Sequence, residues 1–331
     1  MQPIYLTGHQ RPVRKVQYNY DGDLLFTCSD DGTICMYRTY DHLRVGNFVI
    51  KDACKSIDLS KDSKWMIAAG TTKGVFIYSI EDGSLKSQVK VPSILTKQVE
   101  FNTEDKKYLV VHDDKKKSFV KIYDFADSLE NKDQAKIEVD IGAPQDHLIT
   151  QASWGFLDKT IYISTDKGRF LIHDLENKET QIESDIHKGE IFSFTFTYDH
   201  SMLITCSKDG TAKLLNRNTL ESYREFYLGR PCRSASISPL FDSKVCQKFH
   251  VLLAGGQDAK EVTTTQAKEG GFTIQLQSII YNESLAEITG HFGTVHSLAF
   301  SPDGTSFASG AEDGYVHVHK FLPEYFTRKF D

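Results

Sequence analysis

The chain has 331 residues, of which 40% are hydrophobic and 25% are charged, and its formal net charge is −6 at neutral pH. These values are ordinary for a globular protein, and the acidic balance argues against a surface whose main task is to bind nucleic-acid phosphates. No stretch reaches the roughly 18 apolar residues of a membrane helix, and the first residues do not resemble a signal peptide. The six cysteines show no CxxC spacing, which favours reduced thiols and a cytoplasmic location.

The chain begins with a short apolar segment, Pro3 to Thr7, which is followed by a Gly-His pair. Residues 8–37 then read GHQRPVRKVQYNYDGDLLFTCSDDGTICMY, with apolar and polar residues alternating between Asp-Gly pairs. Alternation bounded by Asp-Gly is typical of short antiparallel strands joined by tight turns. We therefore predict a unit of three strands in this part of the chain.

Three weaker units with the same rhythm follow. Each has three apolar runs separated by polar turns, and a polar insert at residues 126–140 precedes the last of them. The predicted strands are 57–59, 65–69 and 75–78 in the second unit, 99–101, 108–111 and 120–123 in the third, and 152–154, 161–164 and 170–173 in the fourth.

The last three units complete the repeat. Residues 187–216, HKGEIFSFTFTYDHSMLITCSKDGTAKLLN, register with the first unit and are followed by ESYREFYL, a predicted outer strand. Residues 290–319, GHFGTVHSLAFSPDGTSFASGAEDGYVHVH, register with the first unit without a gap. The remaining predicted strands are 234–237, 251–254 and 272–280 in the sixth unit, and 295–300, 306–310 and 315–319 in the seventh.

The spacing of the turn glycines indicates the fold. Gly32 and Gly74 are 42 residues apart, and so are Gly168 and Gly210, while longer intervals elsewhere leave room for insertions. A unit of this length with three inner strands and a variable fourth strand is typical of a WD-repeat blade. We predict an all-β, seven-bladed WD40 β-propeller that forms a single domain over residues 1–331, with the N-terminal segment as the outer strand of the seventh blade.

Three units share a set of polar residues, a His before the first strand, a Thr or Ser on the second strand and an Asp in the next turn. In WD blades such residues form a buried hydrogen-bond chain that a Trp on the third strand often completes; here Tyr37, Leu215 and His319 occupy that position. A catalytic triad is a poor interpretation, because one catalytic centre would not need three copies. We predict a structural network and no enzyme activity for His9, Thr27 and Asp31, for His187, Thr205 and Asp209, and for His291, Ser309 and Asp313.

The sequence contains no convincing metal or cofactor motif. His317 and His319 lie two residues apart and so share one face of a strand, and His291 or His296 could lie nearby. Because a metal site usually needs three protein ligands and a third cannot be placed, we interpret these as packing histidines. The glycines of AGGQDAKE lack the spacing of a phosphate-binding loop. We predict no metal and no cofactor.

Several segments match a more specific sequence pattern than the general repeat. They read MQPIYLTGH at the start of the chain, CSKDGTAKLLNRNTLE at 206–221, GGQDAKEVTTT at 255–265, GHFGTVHSLAFSPDG at 290–304, GAEDGYVHVH at 310–319 and LPEYFTRKFD at 322–331. Together they resemble the family of WD-repeat i subunits of eukaryotic translation initiation factor 3. The second to fourth blades depart from the family pattern, since KDACKSIDLS stands where a Gly-His mark is expected.

The resemblance implies a scaffold that binds the C-terminal helix of subunit b and the N-terminal region of subunit g. It would support the recruitment of mRNA and initiator tRNA to the 40S ribosomal subunit. The lack of an apolar span predicts no membrane association, and the acidic balance argues against direct RNA contact. The alternative function is that of a WD-repeat adaptor in a signalling or ubiquitin-ligase complex.

Two candidate partner surfaces follow from the resemblance. The subunit b helix is expected near blades five and six, where the predicted outer strand places Tyr223, Glu225 and Tyr227 on one face. Exposed aromatic residues beside an acid suit a helix that carries Arg and aromatic residues, although packing against the next blade is the alternative. The insertion in the sixth unit is expected to project from a turn and to form a second partner surface through Gln257, Asp258, Thr263, Thr264 and Thr265.

Overall fold

The computed structural model describes residues 3–91, 94–115, 117–130, 137–144, 146–243, 246–257 and 271–327. These residues form seven antiparallel sheets of four strands each. The inner strand of each sheet contacts the inner strands of its two neighbours, so the sheets close into a ring. The predicted seven-bladed β-propeller is thereby confirmed.

The first four blades run in chain order from the inner strand to the outer strand. Blade one contains β2 (Val13–Tyr18), β3 (Leu24–Ser29), β4 (Thr33–Arg38) and β5 (Arg44–Val49). Blade two contains β6 (Cys54–Leu59), β7 (Trp65–Gly70), β8 (Gly74–Ser79) and β9 (Leu85–Val89). Blade three contains β10 (Leu95–Phe101), β11 (Lys107–Asp114), β12 (Lys117–Asp124) and β13 (Ile137–Gly142). Blade four contains β14 (Ile149–Trp154), β15 (Thr160–Thr165), β16 (Arg169–Asp174) and β17 (Glu179–Asp185).

The last three blades follow the same order, except that the N-terminal strand completes blade seven. Blade five contains β18 (Ile191–Phe196), β19 (Met202–Ser207), β20 (Thr211–Asn216) and β21 (Ser222–Tyr227). Blade six contains β22 (Cys232–Ile237), β23 (His250–Gly255), β24 (Ile274–Ser278) and β25 (Ser284–Ile288). Blade seven contains β26 (Val295–Phe300), β27 (Ser306–Ala311), β28 (Val316–Lys320) and β1 (Pro3–Leu6). The described helices are α1 (Phe125–Glu130), α2 (Pro323–Thr327) and two 3₁₀ turns at Phe156–Asp158 and Pro239–Asp242.

The ring is closed by the two ends of the chain. Strand β1 pairs antiparallel with β28, from Pro3 opposite His319 to Leu6 opposite Val316. Leu6 is buried against the core that blade seven shares with blade one. This pairing removes an unprotected sheet edge, and it confirms the prediction that the N-terminal segment is the outer strand of blade seven.

Tight turns connect the second and third strands of the blades on one side of the ring, which we call the upper face. The loops between the first and second strands lie on the opposite side, the lower face. Five upper turns contain a glycine in the left-handed region, with φ of 79° at Gly32, 85° at Gly74, 83° at Gly168, 86° at Gly210 and 79° at Gly314. A Cβ on Gly168 would lie 2.0 Å from the carbonyl oxygen of His187, so this turn also needs glycine to pack against the next blade.

The hydrophobic cores lie between neighbouring blades. Phe26 and Ile34 of blade one, for example, pack with Ile57 and Met66 of blade two, and all four are almost completely buried. Burial of such a side chain contributes about 1.5–3 kcal/mol. Because each core needs side chains from two blades, a single blade cannot bury its own faces.

The inner strands are also joined by side-chain amides. Gln98 of blade three donates to the carbonyl of Ala152 at 2.8 Å and accepts from its N–H at 2.9 Å. Gln151 of blade four makes the same pair of bonds with Phe194 of blade five, at 3.0 and 2.8 Å. These reciprocal bonds fix neighbouring blades in register around a central channel of about 870 Å³.

The structure adds one detail and corrects another. The polar insert at 126–140 contains most of α1 and the start of β13. Ser128 in α1 lies with its Oγ 2.8 Å from the Tyr108 hydroxyl, which anchors the helix to blade three. The third strand of blade six, predicted at 272–280, is shorter and spans Ile274–Ser278. None of the helices described here combines the length and the apolar character needed to cross a bilayer.

Candidate functional site

The polar set of blade five forms a chain of hydrogen bonds at the upper face. His187 Nδ1 lies 3.1 Å from Asp209 Oδ2, and its Nε2 lies 2.8 Å from Thr205 Oγ1. A carboxylate can only accept, so Nδ1 donates to Asp209, while Nε2 forms its hydrogen bond with the Thr205 hydroxyl. Thr211 Oγ1 also donates to Asp209 Oδ1 at 2.6 Å. Burial raises the pKa of Asp209, but the bonds from His187 and Thr211 outweigh it and hold that pKa well below its ordinary value.

Blades one and seven repeat this geometry. His9 Nε2 lies 2.8 Å from Thr27 Oγ1 and its Nδ1 lies 3.3 Å from Asp31 Oδ2. In blade seven, His291 Nε2 lies 2.8 Å from Ser309 Oγ and its Nδ1 lies 3.0 Å from Asp313 Oδ2. At most 2% of each of the three histidine side chains is exposed. The structure therefore brings together all nine residues of the predicted network, three in each blade.

The carboxylates of these sets also hold the backbone. Asp31 Oδ2 accepts from the N–H of Gln10 at 2.9 Å, and Asp313 Oδ2 accepts from the N–H of Phe292 at 3.0 Å. Each Asp thus ties its turn to the segment that enters the blade. A movement of the loop would break these hydrogen bonds and leave polar groups without partners, which costs about 1–3 kcal/mol for each buried group. The carboxylates therefore fix the loops.

The position that often carries Trp differs among these blades. The hydroxyl of Tyr37 in blade one donates to the carbonyl of Thr7 at 3.1 Å. Leu215 in blade five is buried and apolar. His319 in blade seven stacks on Phe307 with the ring centroids 4.7 Å apart.

The two strand histidines considered as metal ligands stack on other rings. The rings of His317 and His319 have centroids 6.1 Å apart, and His317 lies parallel to His291. Among the described residues, no group of three His, Cys, Asp or Glu side chains could hold a metal ion. The ring contacts of His317 with His291 and of His319 with Phe307 are packing contacts.

The outer strand of blade five exposes the predicted partner residues. Tyr223 is 53% exposed and Tyr227 is 69% exposed, while Phe226 between them is buried against blade six. Glu225 Oε1 lies 3.5 Å from Lys213 Nζ, and Tyr223 Oη accepts a 2.6 Å hydrogen bond from Asn216 Nδ2. The pairing of β20 with β21 shifts register between Leu214, which lies opposite Arg224, and Leu215, which lies opposite Ser222. Because of this irregularity, the three predicted partner residues do not alternate strictly along β21.

Sequence reasoning missed the neighbouring turn of blade six. Arg224 Nη2 donates to the carbonyl of Ile280 at 3.1 Å, and Asn282 Nδ2 donates to that of Glu225 at 3.3 Å. Ile280 is 45% exposed and Tyr281 is 51% exposed. The signal available in the sequence was two adjacent apolar residues, Ile280 and Tyr281, immediately before an Asn-Glu turn.

The second predicted partner surface is only partly described. Gln257 is exposed, and its carbonyl accepts a 2.6 Å hydrogen bond from Thr294 Oγ1 in the entry to blade seven. Asp258, Thr263, Thr264 and Thr265 lie outside the described residues.

Comparison with known proteins agrees with the fold and with the sequence resemblance. The family model EIF3I matches residues 1–331. Eukaryotic translation initiation factor 3 subunit I from Dictyostelium discoideum is 36% identical over 327 residues, covering 98% of this chain and 96% of that protein. The protein of the same description from Homo sapiens is 32% identical over 339 residues, covering 100% of both. The β-propeller domain of Myceliophteria thermophila Cps50 (Swd1) superposes with a TM-score of 0.77 at 14% identity, covering 97% of this chain and 99% of that one.

Seven four-stranded blades with repeated His-Thr/Ser-Asp sets define a WD-repeat β-propeller. The match over residues 1–331 and the full-length relatives show that the chain belongs to the family of subunit I of eukaryotic translation initiation factor 3. The resemblance noted in the sequence is confirmed, and the family assigns the chain the role of a translation initiation factor subunit with a propeller scaffold fold.

Proposed function

We propose that the chain is a non-catalytic, single-domain scaffold in the cytoplasm that bridges subunits b and g of translation initiation factor 3. In this role it supports the recruitment of mRNA and initiator tRNA to the 40S ribosomal subunit. The recurring histidines and carboxylates are used inside the blades, which supports a structural role for them. The observation that carries the proposal is an exposed aromatic surface at the junction of blades five and six.

We name this the side surface and define it by five residues. The outer strand of blade five contributes Tyr223, Glu225 and Tyr227. The turn of blade six contributes Ile280 and Tyr281. The two blades are joined beneath it by the bonds from Arg224 to Ile280 and from Asn282 to Glu225. A surface held by such bonds needs little ordering on binding, which favours affinity.

The chemistry of the side surface suits an amphipathic helix. Exposed tyrosines are frequent energetic anchors at interfaces, and Ile280 adds an aliphatic contact beside them. The carboxylate of Glu225 is 35% exposed and has only Lys213 nearby as an ion-pair partner among the described residues. An Arg on the helix can therefore approach Glu225, in agreement with a C-terminal helix of subunit b as the occupant.

Calorimetry with the purified C-terminal helix of subunit b tests this assignment. We expect Glu225→Lys and Tyr227→Ser each to weaken binding at least about tenfold, which corresponds to about 1.4 kcal/mol. Leu85→Ser is a matched control, because Leu85 is 47% exposed on the outer strand of blade two. Unchanged affinity in both side-surface variants, or an equal loss in the control, would contradict the proposal.

The surface near Gln257 is proposed as the second contact region. Its supporting observation is the bond from Thr294 to Gln257, which ties the start of the insertion to blade seven. Replacement of Thr263, Thr264 and Thr265 by Ala is expected to weaken the binding of a partner subunit. If the variant binds both subunit b and the N-terminal region of subunit g with unchanged affinity, the assignment of this surface as a contact region is wrong.

A further inference from the structure

The lower face carries exposed apolar side chains that the proposed function does not use. Four of them lie on loops between first and second strands, and two cations lie beside them. We call this set the lower-face cluster: Tyr20, Lys61, Phe156, Leu157, Tyr198 and Arg217. The exposed fractions are 59% for Tyr20, 52% for Phe156, 63% for Leu157 and 72% for Tyr198.

The members of the cluster are connected across several blades. The Arg217 guanidinium lies 5.1 Å from the ring centroid of Phe156, and its Nη1 donates to the carbonyl of His200 at 3.0 Å. The hydroxyls of Tyr20 in blade one and Tyr198 in blade five are 3.5 Å apart. Tyr20, Tyr198 and Lys61 all line the central channel. The cluster is therefore one continuous surface beside the lower end of the channel.

The backbone at Leu157 is unfavourable for the residue that it carries. Leu157 has φ 58° and ψ 25°, and the next residue, Asp158, has φ 55°. The left-handed region disfavours residues with a Cβ, and an exposed Leu gains little from burial. The Asp158 carboxylate fixes this turn by accepting from Thr103 Oγ1 at 2.5 Å and from Asn102 Nδ2 at 3.0 Å. Folding alone does not explain a leucine here.

The two cations of the cluster lack a close ion pair among the described residues, although the Asp105 carboxylate interacts electrostatically with Lys61. No carboxylate of a described residue forms an ion pair with Arg217 or Lys61. The nearby carboxylates accept hydrogen bonds from other groups, Asp199 from Thr197 and Asp105 from the backbone N–H of Lys61. By contrast, Arg38, which also covers an exposed aromatic ring, forms a 2.6 Å ion pair with Asp41.

We propose that the lower-face cluster binds an acidic segment of another protein that carries aliphatic or aromatic side chains. Phe156, Leu157 and Tyr198 would receive the apolar side chains, and Arg217 and Lys61 would pair with the carboxylates. Aromatic residues and Arg are the residue types that most often dominate interface energy, and charge complementarity selects the acidic partner. The residues of this site differ from those of the side surface, which lie on the outer strand of blade five and in the turn before the outer strand of blade six.

The test uses fluorescent peptides and the purified full-length chain. One peptide is amphipathic, with Leu and Phe on one face and Glu on the other; a second has Lys in place of Glu; a third has Ser in place of Leu and Phe. We expect anisotropy to show binding of the first peptide at least about tenfold tighter than either of the others. Equal binding of the Glu and Lys peptides, or no binding of the first, would overturn the proposal.

Variants locate the binding on the cluster. Phe156→Ser is expected to weaken binding of the acidic peptide about tenfold. Lys61→Glu is expected to reverse the preference, so that the Lys peptide binds more tightly than the Glu peptide. Leu157→Gly separates binding from stability, because glycine adopts the left-handed backbone conformation without the energetic cost of a Cβ. We expect Tm to stay the same or rise, while the affinity for the acidic peptide falls. Tyr40→Ser is the matched control, since Tyr40 is an exposed ring covered by Arg38. A control effect as large as that of Phe156→Ser would overturn the proposal.

Two further measurements distinguish other occupants. A dimer in sedimentation velocity that Phe156→Ser abolishes would assign the surface to a second copy of this chain. Binding of single-stranded RNA that Lys61→Glu abolishes would assign it to nucleic acid. Either result would overturn the acidic-protein assignment. Failure of the side surface to bind the subunit b helix would leave this test unaffected, because it uses different residues and different probes.

Discussion

The imidazole rings of His291 and His317 lie parallel, with their centroids 3.7 Å apart and their planes inclined by 5°. His291 belongs to the hydrogen-bonded set of blade seven, whereas His317 lies on β28, which pairs with the N-terminal strand. Tyr5 of that strand meets the His317 ring edge-on at 4.6 Å. The stack therefore joins the polar set of blade seven to the strand pair that closes the ring.

Replacement of His319 by Phe is expected to stabilise the protein. His319 is 1% exposed and stacks on Phe307, and neither of its ring nitrogens has a hydrogen-bond partner among the described residues. Phenylalanine keeps the stacked ring and removes two unpaired polar atoms, so the free energy of unfolding should rise by about 1 kcal/mol. Urea denaturation at neutral pH measures this change. His291→Phe is the contrasting variant, since it removes bonds to Ser309 and Asp313 and should lower the free energy of unfolding.

Acid should destabilise blade seven through His317. Burial, together with the neighbouring His291, lowers the pKa of His317 to about 4, whereas an unfolded chain has a His pKa near 6.5. Between these values the unfolded state binds more protons, so stability is fully present above about pH 6.5 and falls as the pH drops towards 4. We expect Tm to decrease over this range, and to decrease less in His317→Phe. An identical pH profile for the two proteins would contradict this account.

Glu100 should show the opposite dependence. Burial, with the nearby Asp58 carboxylate, raises the pKa of Glu100 to about 7. Between an unfolded value near 4.3 and this folded value, the folded state binds more protons, so the contribution of Glu100 to stability decreases as the pH rises through this range. Glu100→Gln keeps an acceptor for the Ser153 hydroxyl, which lies 2.6 Å from Oε1. We expect the variant to have a higher Tm than the parent at pH 8 and a smaller difference at pH 5; a lower Tm at pH 8 would be inconsistent with the raised pKa.

The hydrogen-bond chain of blade five can be tested at Thr205. Thr205→Val removes the hydroxyl that lies 2.8 Å from His187 Nε2 and leaves a buried ring nitrogen without that partner. We expect a loss of about 1–3 kcal/mol in the free energy of unfolding. Thr205→Ser retains the hydroxyl and should lose much less. Equal losses for Val and Ser would mean that the methyl group, and not the hydrogen bond, matters.

The repeat made most of the fold predictable from sequence. Gly32 and Gly210 have the left-handed backbone that an Asp-Gly turn requires. Apolar and polar residues alternate along the inner strands, as their burial requires. Outer strands gave a weaker signal because they are exposed on much of their surface; β17, for example, has no buried residue. Helix α1 was missed because it spans only six residues and its docking depends on Tyr108 and Ser87, which lie elsewhere in the chain.

The candidate surfaces were less predictable. The strand ESYREFYL indicated Tyr223 and Tyr227, but the contribution of Ile280 depends on how blade six packs against blade five. The contact between Phe156 and Arg217 joins two blades and cannot be deduced from spacing. A leucine also gives no sign in the sequence that its backbone is left-handed, as it is at Leu157.

The scaffold role is tested most directly by purification of the tagged protein from cell extract, followed by mass spectrometry. We expect subunits b and g of initiation factor 3 and proteins of the 40S ribosomal subunit to be recovered with it, and Glu225→Lys to reduce the recovery of subunit b. Recovery of ubiquitin-ligase or receptor components in their place would contradict the assignment.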